Sequence, residues 1–286
     1  MILDSHVHFI DYQNNKDDYP WIDSNMDVLK QELLPQQLYH DSRISNVNSV
    51  IAIQAVRSIK ETEWLLKLAT ENDFIAGVVG WVDLSSNSAL INLRKLSKNN
   101  KFIGVRNMLQ DRENIDFMLS DDFCRGISSL SLFDISYDLL IKPEHIENAS
   151  KLVSKYPDIK FIVDHMAKPC IKDQKFEGWK EDMIELSKYE NVACKLSGLV
   201  TEADTNNWKF ADFTGYLDII FQNFGSNRVI YGSDWPVHKL ASTYRQQFSI
   251  INDYIINNTS NVKQTYEKIF FRNALSFYPR LKISNS

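Results

Sequence analysis

The sequence predicts an α/β protein folded as a single (β/α)8 barrel, with a long loop after its first strand. First, eight short runs rich in β-branched and aromatic residues alternate with longer segments of helical periodicity. Such alternation implies parallel strands covered by helices. Second, 286 residues suit eight such units in one barrel. Third, no linker or low-complexity tract divides the chain, so residues 1–286 are expected to form one domain.

The predicted strands are runs of five to seven residues. They are largely apolar along their length, which is typical of strands buried on both faces. A doubly wound open sheet is the main alternative, but neither Gly-x-Gly-x-x-Gly nor a P-loop follows any of them. In chain order the predicted strands are Ile2–His8, Ser49–Gln54, Ile75–Trp81, Phe102–Arg106, Leu132–Asp138, Phe161–His165, Val192–Ser197 and Val229–Asp234.

Helices are predicted between these strands. An apolar stripe from Leu65 to Ala69 marks one helix, and Pro143, a residue favoured in the first helical turn, begins another. The predicted helices are Thr62–Asn72, Ser88–Lys98, Pro143–Tyr156, Gly178–Tyr189, Phe210–Phe224, Thr243–Ile256 and Val262–Tyr278.

The segment from Asp11 to Asn48 is too long for a simple loop between a strand and a helix. It contains Tyr12, Tyr19, Trp21 and Met26. These side chains either form a lid or rim over the first strand or pack on the surface.

Composition argues against several classes of partner. The formal net charge is −5 and the pI is about 5.7, which disfavours nucleic acid and anionic membranes. No apolar run approaches the roughly 20 residues that span a bilayer. No basic-then-apolar leader precedes the first strand, and three isolated cysteines suit a reducing compartment, so we expect a cytoplasmic protein. The sequence is compatible with a homo-oligomer.

Two histidines, His6 and His8, stand one residue apart at the end of the first predicted strand. Side chains at i and i+2 of a strand point to the same face, so these imidazoles should converge. Such a pair can bind a metal ion or a substrate carbonyl.

Polar residues also end most of the other predicted strands. Barrel enzymes build their sites at the carboxyl-terminal ends of the strands, so we expect these side chains to meet there. In chain order they are His6 and His8, Gln54, Trp81, Arg106, Tyr137 or Asp138, His165, Lys195 or Ser197, and Asp234.

Each of these residues has two interpretations. Asp234 could orient and deprotonate water, or it could cap a turn. His165 could bind a ligand or lie satisfied in the core. Arg106 could bind a carboxylate or sugar oxygen, or form a structural ion pair. Lys195 could supply charge, or its ammonium could extend from the base of the barrel into water.

Two absent features narrow the chemistry. No Gly-x-Ser-x-Gly elbow occurs, which disfavours a serine acyl-enzyme. No lysine ends the fourth predicted strand, where a bridging modified lysine would hold two metal ions. A metal centre would therefore be mononuclear.

Motifs along nearly the whole chain resemble the amidohydrolase superfamily, in its amidohydrolase-2 branch, and within it the sugar lactonases of the L-fuconolactonase and L-rhamnonolactonase type. The Asn273-Ala274 pair near the end also fits. The matching segments are Asp4-Ser5-His6-Val7-His8, Tyr19-Pro20-Trp21, Val56-Arg57-Ser58 before Glu61-Thr62, Gly104-Val105-Arg106, Tyr137-Asp138-Leu139-Leu140, Asp164-His165-Met166-Ala167-Lys168-Pro169, Cys194-Lys195-Leu196-Ser197-Gly198-Leu199 and Tyr231-Gly232-Ser233-Asp234-Trp235-Pro236.

The resemblance implies a (β/α)8 barrel with Asp234 and His165 as catalytic residues. It also implies one divalent metal ion, with zinc as the favoured metal, held by three histidines and one aspartate. In metal-independent members the histidines would polarise the substrate carbonyl directly. The metal-ligand candidates are His6, His8, His165 and Asp234. The substrate-binding candidates are Trp21, Arg106, Tyr137 and His238.

The chain departs from the resemblance at two positions. Relatives often carry histidine where this chain has Asn107, and cysteine where it has His238. Both positions bear on which sugar is bound.

Three functions remain open at this point. Hydrolysis of a sugar-acid lactone by water activated at Asp234 is the leading hypothesis. A metal-dependent decarboxylase of the same superfamily is the second. A non-catalytic sugar-binding barrel is the third.

Overall fold

The computed structural model describes residues 1–283, and within them an eight-stranded parallel sheet curves into a barrel. Each strand pairs with the next in chain order. We number them β1 Leu3–Val7, β2 Ser49–Ile53, β3 Ile75–Gly80, β4 Phe102–Met108, β5 Ser136–Leu140, β6 Phe161–Val163, β7 Val192–Leu196 and β8 Val229–Tyr231.

The barrel closes between its first and last strands. Val7 forms a parallel bridge with Trp235, and the His8 amide donates to the Trp235 carbonyl at 2.7 Å. The Asp234 amide donates to the His6 carbonyl at 2.9 Å. These bonds join the segment after β8 to the end of β1, which confirms the predicted barrel and brings both histidines beside Asp234.

Helices cover the barrel. They begin and end at Tyr12–Asn15, Pro35–Ser42, Ile59–Glu71, Ala89–Leu96, Asp121–Ser128, Ile146–Lys155, Trp179–Leu186, Leu199–Glu202, Ala211–Phe224, Tyr244–Asn258, Val262–Glu267 and Asn273–Phe277, and a π-helical turn at Lys268–Arg272 joins the last two. No helix among residues 1–283 combines the length and apolar character needed to cross a bilayer.

The structure differs most from the prediction at three places. The fifth strand begins at Ser136 rather than Leu132, because Ser129–Phe133 forms a 3₁₀ turn that Asp134 ends with φ 53°. The helix Asp121–Ser128 is missing from the prediction, although Ser120 caps it by accepting from the Phe123 amide. The predicted final helix is interrupted by its π turn.

The long loop after β1 is partly ordered by a two-stranded antiparallel ribbon, Ile10–Asp11 with Glu32–Leu33. It buries Tyr19 and leaves Trp21 half-buried. The Trp21 indole donates to the Ala55 carbonyl at 3.1 Å, which ties the loop to the segment after β2. The loop thus forms part of the rim of the barrel.

The amino-terminal half of the barrel interior is filled by apolar side chains. Leu3, Ile51, Val79 and Ile230 are each at most 1% exposed and belong to one cluster. The carboxyl-terminal segment closes this end, where Ser136 Oγ donates to the Phe277 carbonyl. The polar side chains that could bind or react with a ligand therefore lie towards the carboxyl-terminal ends of the strands.

Candidate active site

A cavity of about 160 Å³ opens at the carboxyl-terminal ends of the strands. A larger groove of about 910 Å³ lies outside the barrel, beside the start of helix Tyr244–Asn258, and its lining within residues 1–283 includes none of the strand-end residues. The smaller cavity is lined by His8, Trp21, Ala55, Arg106, Met108, Gln110, Asp111, Leu140, His165, Lys168, Asp234 and Val237.

His6 and His8 converge as their spacing predicts, with 3.2 Å between their Nε2 atoms. His8 Nδ1 lies 2.9 Å from the Ile53 carbonyl oxygen, which can only accept. Nδ1 therefore carries a proton and donates, and in the neutral ring the Nε2 lone pair faces the cavity.

His6 is fully buried between charged groups. Its Nδ1 lies 3.4 Å from Asp164 Oδ1, and its Nε2 lies 3.4 Å from Arg106 Nη1. Burial lowers the pKa of His6 well below 6.5 although the Asp164 carboxylate acts in the opposite sense, so the ring is neutral near pH 7. If the proton lies on Nδ1, the ring donates to Asp164 while the neighbouring Lys195 ammonium donates to the Asp138 and Asp164 carboxylates, and the Nε2 lone pair is available.

Asp234 faces both rings. Its Oδ1 lies 3.5 Å from His8 Nε2 and 3.7 Å from His6 Nε2. Burial by itself raises the pKa of Asp234, but the neighbouring imidazoles of His165, His8 and His6 outweigh burial and hold that pKa well below its ordinary range. The carboxylate is therefore ionised at neutral pH. Its backbone adopts φ 61°, a conformation that L-residues seldom take outside sites that require it.

Three atoms, one each from His6, His8 and Asp234, form a triangle that suits a metal ion. Zinc bonds to imidazole and carboxylate are about 2.0–2.2 Å long, so a tetrahedral ion separates neighbouring ligand atoms by about 3.3–3.5 Å. The sides of the triangle are 3.2, 3.5 and 3.7 Å. Two imidazole lone pairs facing each other beside a carboxylate form an electron-rich site that a divalent cation would fit.

His165 lies next to this triangle, with its ring centroid 4.6 Å from that of His6. Its Nδ1 is 2.9 Å from Ser197 Oγ, and burial lowers its pKa to about 4. His165 groups with His6 and Asp164 rather than with His8 and Asp234. Of the four predicted metal ligands, His6, His8 and Asp234 therefore converge on one point, and His165 lies beside them.

The second group, His6 with Asp164 and His165, is poorly suited to a metal ion. Lys195 Nζ lies 2.9 Å from Asp164 Oδ1 and 3.3 Å from His6 Nδ1. Burial lowers the pKa of Lys195, but Asp138 and Asp164 outweigh it and the pKa is raised, so an ammonium occupies this position. A second cation there would be repelled.

Arg106 borders the cavity, but its donors are engaged by the protein. Its guanidinium makes three hydrogen bonds to Gln54 and one of 3.0 Å to Asp164, and its fifth N–H points towards His6. Arg106 thus forms the ion pair of the alternative interpretation. Four of its five N–H groups are committed to Gln54 and Asp164, and the fifth faces the His6 ring.

Tyr137 is not brought to the cavity. Strand alternation points Asp138 into the barrel, and Tyr137 therefore faces the helices, where its ring packs on Phe123 and Phe161. Its hydroxyl is 3.5 Å from Asn107 Oδ1, so Asn107 also lies on the outer face. The prediction that Tyr137 binds substrate is inconsistent with this placement.

His238 is also absent from the cavity lining within residues 1–283. It is buried beneath the rim, with Nδ1 3.3 Å from the Ser242 carbonyl and its ring against Tyr244. Its neighbour Val237, in the same turn Val237–Leu240, lines the cavity instead.

Close backbone approaches beside the histidines require glycine at two positions. A Cβ on Gly232 would lie 2.6 Å from His6 Cβ, and one on Gly198 would lie 2.6 Å from His165 Nδ1. Gly198 also has φ 66°. These glycines allow the segments after β7 and β8 to pack against the imidazoles.

Sequence reasoning missed a buried charge network beneath the cavity. Lys195 Nζ donates to Asp138 Oδ2 at 2.7 Å, and Tyr278 OH donates to the same oxygen at 2.7 Å. Lys195 is fully buried, so it does not extend into water. The signal available in the sequence was that Asp138 and Lys195 are charged residues in two largely apolar predicted strands.

Comparison with known proteins agrees with the geometry. A family model described as Amidohydrolase matches residues 3–280. The chain is 34% identical to L-fucono-1,5-lactonase of Burkholderia ambifaria over 242 residues, which cover 85% of this chain and 82% of that protein. It is 32% identical to L-fucono-1,5-lactonase of Burkholderia multivorans over 273 residues, 92% of this chain and 91% of that one. A crystal structure of a Burkholderia multivorans amidohydrolase with bound zinc superposes with a TM-score of 0.93 at 31% identity, over 98% of this chain and 99% of that one.

Proposed function

The chain belongs to the amidohydrolase family and is a hydrolase, and on that basis we propose that it opens a sugar-acid lactone of the L-fucono-1,5-lactone class to the hydroxy acid. The observation that carries the proposal is the convergence of His6, His8 and Asp234 with His165 beside them, in a cavity at the catalytic end of the barrel. The two lactonase relatives named above support the substrate class.

Asp234 is the proposed base. An ionised carboxylate that lines the cavity can take a proton from water as the oxygen attacks the lactone carbonyl. The C–O bond to the ring oxygen then breaks, and Asp234 returns the proton to that oxygen. The product is an open hydroxy acid, which ionises at neutral pH.

His165 is the proposed donor to the carbonyl oxygen. If the Ser197 hydroxyl donates to Nδ1, the neutral ring carries its proton on Nε2. An N–H placed in this buried site would stabilise the negative charge that develops on the carbonyl oxygen. Ser197 then determines the tautomer.

The residues that would hold a divalent ion are His6, His8 and Asp234, with Asp164 and the Ile53 carbonyl fixing the two rings. When bound, such an ion supplies Lewis-acid polarisation and lowers the pKa of water.

A pH-indicator assay tests the proposal, because opening a lactone releases a proton at neutral pH. The purified protein is offered the L-fucono, L-rhamnono, L-galactono and D-arabinono lactones in five- and six-membered forms, and spontaneous hydrolysis is subtracted. We expect turnover of at least one six-membered sugar lactone. Binding without turnover, or release of carbon dioxide from aromatic carboxylic acids, would contradict the proposal.

Metal content is tested in the same preparation. Elemental analysis before and after chelation, followed by the assay, separates the two forms of the site. We expect zinc to bind and its removal to lower turnover. Full activity with substoichiometric metal would contradict a required ion.

A further inference from the structure

The segment that carries His165 has an unusual backbone. His165, Met166, Ala167 and Lys168 all have positive φ, between 52° and 57°. Each non-glycine residue in this region is strained, by roughly 1–2 kcal/mol. Four in succession form a left-handed turn, closed by the Lys168 amide donating to the His165 carbonyl at 2.8 Å.

This turn places two side chains on the same side. In a turn closed between residues i and i+3, those two side chains are nearly eclipsed. His165 and Lys168 are that pair, and both line the cavity. A right-handed turn of the same sequence would direct them elsewhere.

Surrounding groups hold the turn in place. The Trp179 indole, buried under the turn, donates to the Met166 carbonyl at 2.7 Å. Glu202 Oε1 lies 3.5 Å from Lys168 Nζ, and Ser197 fixes the His165 ring. The strained backbone is thus stabilised at three points, as expected for a functional segment.

The charges of the cavity give Lys168 a role. Lactone opening creates a carboxylate beside the ionised Asp234, and two like charges at close range repel. Arg106 and Lys168 are the two Lys or Arg side chains among the lining residues. Four of the five Arg106 N–H donors are engaged by Gln54 and Asp164, and the fifth faces His6 Nε2. Lys168 has three N–H donors and, in the described part of the chain, one ion-pair partner, Glu202.

We propose that the Lys168 ammonium binds the negative charge that ring opening creates on the substrate. The inference rests on the proposed function and deepens it, because it assigns the binding of the anionic product to a residue outside the His6–His8–Asp234 triangle. The side chain of Lys168 is 25% exposed and lines the cavity, so a molecule that enters the cavity can reach it.

Calorimetric titration with two probes tests the proposal. L-fuconate is the anionic open acid, and L-fucose is an uncharged sugar of the same stereochemical series. The variant Lys168→Met keeps most of the length of the side chain and leaves an L-residue with a Cβ at this strained position, but it removes the charge. Lys172→Met, a change at an exposed lysine on the same segment, is the matched control.

We expect Lys168→Met to bind L-fuconate about 10- to 100-fold more weakly, as for loss of a charge-assisted hydrogen bond. Its affinity for L-fucose should stay within about twofold of wild type. Lys172→Met should match wild type with both probes, and Lys168→Arg should recover part of the L-fuconate affinity.

Equal weakening of both probes would overturn the inference, because it would indicate contact with sugar hydroxyls. Unchanged L-fuconate binding by Lys168→Met, or a folded wild type that binds no L-fuconate, would also overturn it. These outcomes are distinguishable from failure of the proposed function, which is a wild type that opens no sugar lactone.

Discussion

The two ends of the barrel interior are built from the same strands and differ in chemistry. β1 supplies Leu3 to the amino-terminal half and His6 to the carboxyl-terminal half, and both are at most 1% exposed. β6 supplies Ile162 to the apolar half, and Asp164 follows it in the polar half. Side chains are therefore equally buried at both ends, but apolar packing stabilises the amino-terminal half and paired charges stabilise the carboxyl-terminal half.

The comparison teaches what each half tolerates. In the apolar half, each side chain makes many weak contacts, so the stability lost on truncation grows with the number of contacts removed. In the polar half, each buried charge is balanced by a specific partner, as Lys195 is by Asp138 and Asp164. Removing one partner there leaves an uncompensated charge.

The largest expected effect on stability comes from Lys195→Met. It leaves the carboxylates of Asp138 and Asp164 buried without their ammonium. We expect the free energy of unfolding to fall by about 3–5 kcal/mol, measured by urea denaturation. A loss below about 1 kcal/mol would contradict the view that this half depends on paired charges.

Ile51→Ala makes the corresponding change in the apolar half. Ile51 is fully buried in the cluster closed by the carboxyl-terminal segment. The cavity left behind should lower the free energy of unfolding by about 3 kcal/mol. The kcat per folded molecule should match wild type. If kcat per folded molecule also fell, packing in the apolar half would affect catalysis in the polar half.

Ser197→Ala tests the tautomer of His165 at smaller cost. The substitution removes the hydroxyl that lies 2.9 Å from Nδ1. Loss of about 1 kcal/mol should lower kcat roughly fivefold, with little change in stability. A KM change at constant kcat would indicate that Ser197 acts on substrate binding instead.

pH should separate stability from catalysis. Burial lowers the folded-state pKa of His165 to about 4 and that of His6 below 6.5. Between these values and 6.5 the unfolded chain binds protons that the folded chain does not, so stability should fall as pH drops below 6.5. Asp234 stays ionised in this range because its pKa is depressed.

We therefore expect the kcat/KM of the folded protein to stay flat from pH 8 to 5.5 while the free energy of unfolding declines. Stopped assays paired with urea denaturation at each pH check this. A fall in kcat/KM with a midpoint near 6.5 would show that one imidazole titrates during turnover.

The sequence predicted the barrel because its alternation of strands and helices covers the whole chain, and it predicted that His6 and His8 converge because a single residue separates them on a strand. It left Tyr137 and Asp138 unresolved, because every residue of this strand is buried and the pattern of burial does not show which of the two faces inward.

The position of Lys168 in the cavity could not be predicted from the sequence, for a different reason. The segment from His165 to Lys168 contains no glycine, so nothing local indicates a left-handed turn. Its conformation is imposed by distant groups, including Trp179 and Glu202. Tertiary contacts decide the backbone there.

The central claim is that Asp234 activates water in the polar half. Asp234→Asn keeps the shape of the side chain and removes the base, and exposed Asp173→Asn is its control. The decisive measurement is kcat/KM for L-fucono-1,5-lactone, with circular dichroism showing that both variants are folded. We predict a fall of about 100- to 10,000-fold for Asp234→Asn alone. Hydrolysis within about threefold of wild type by folded Asp234→Asn would contradict the account.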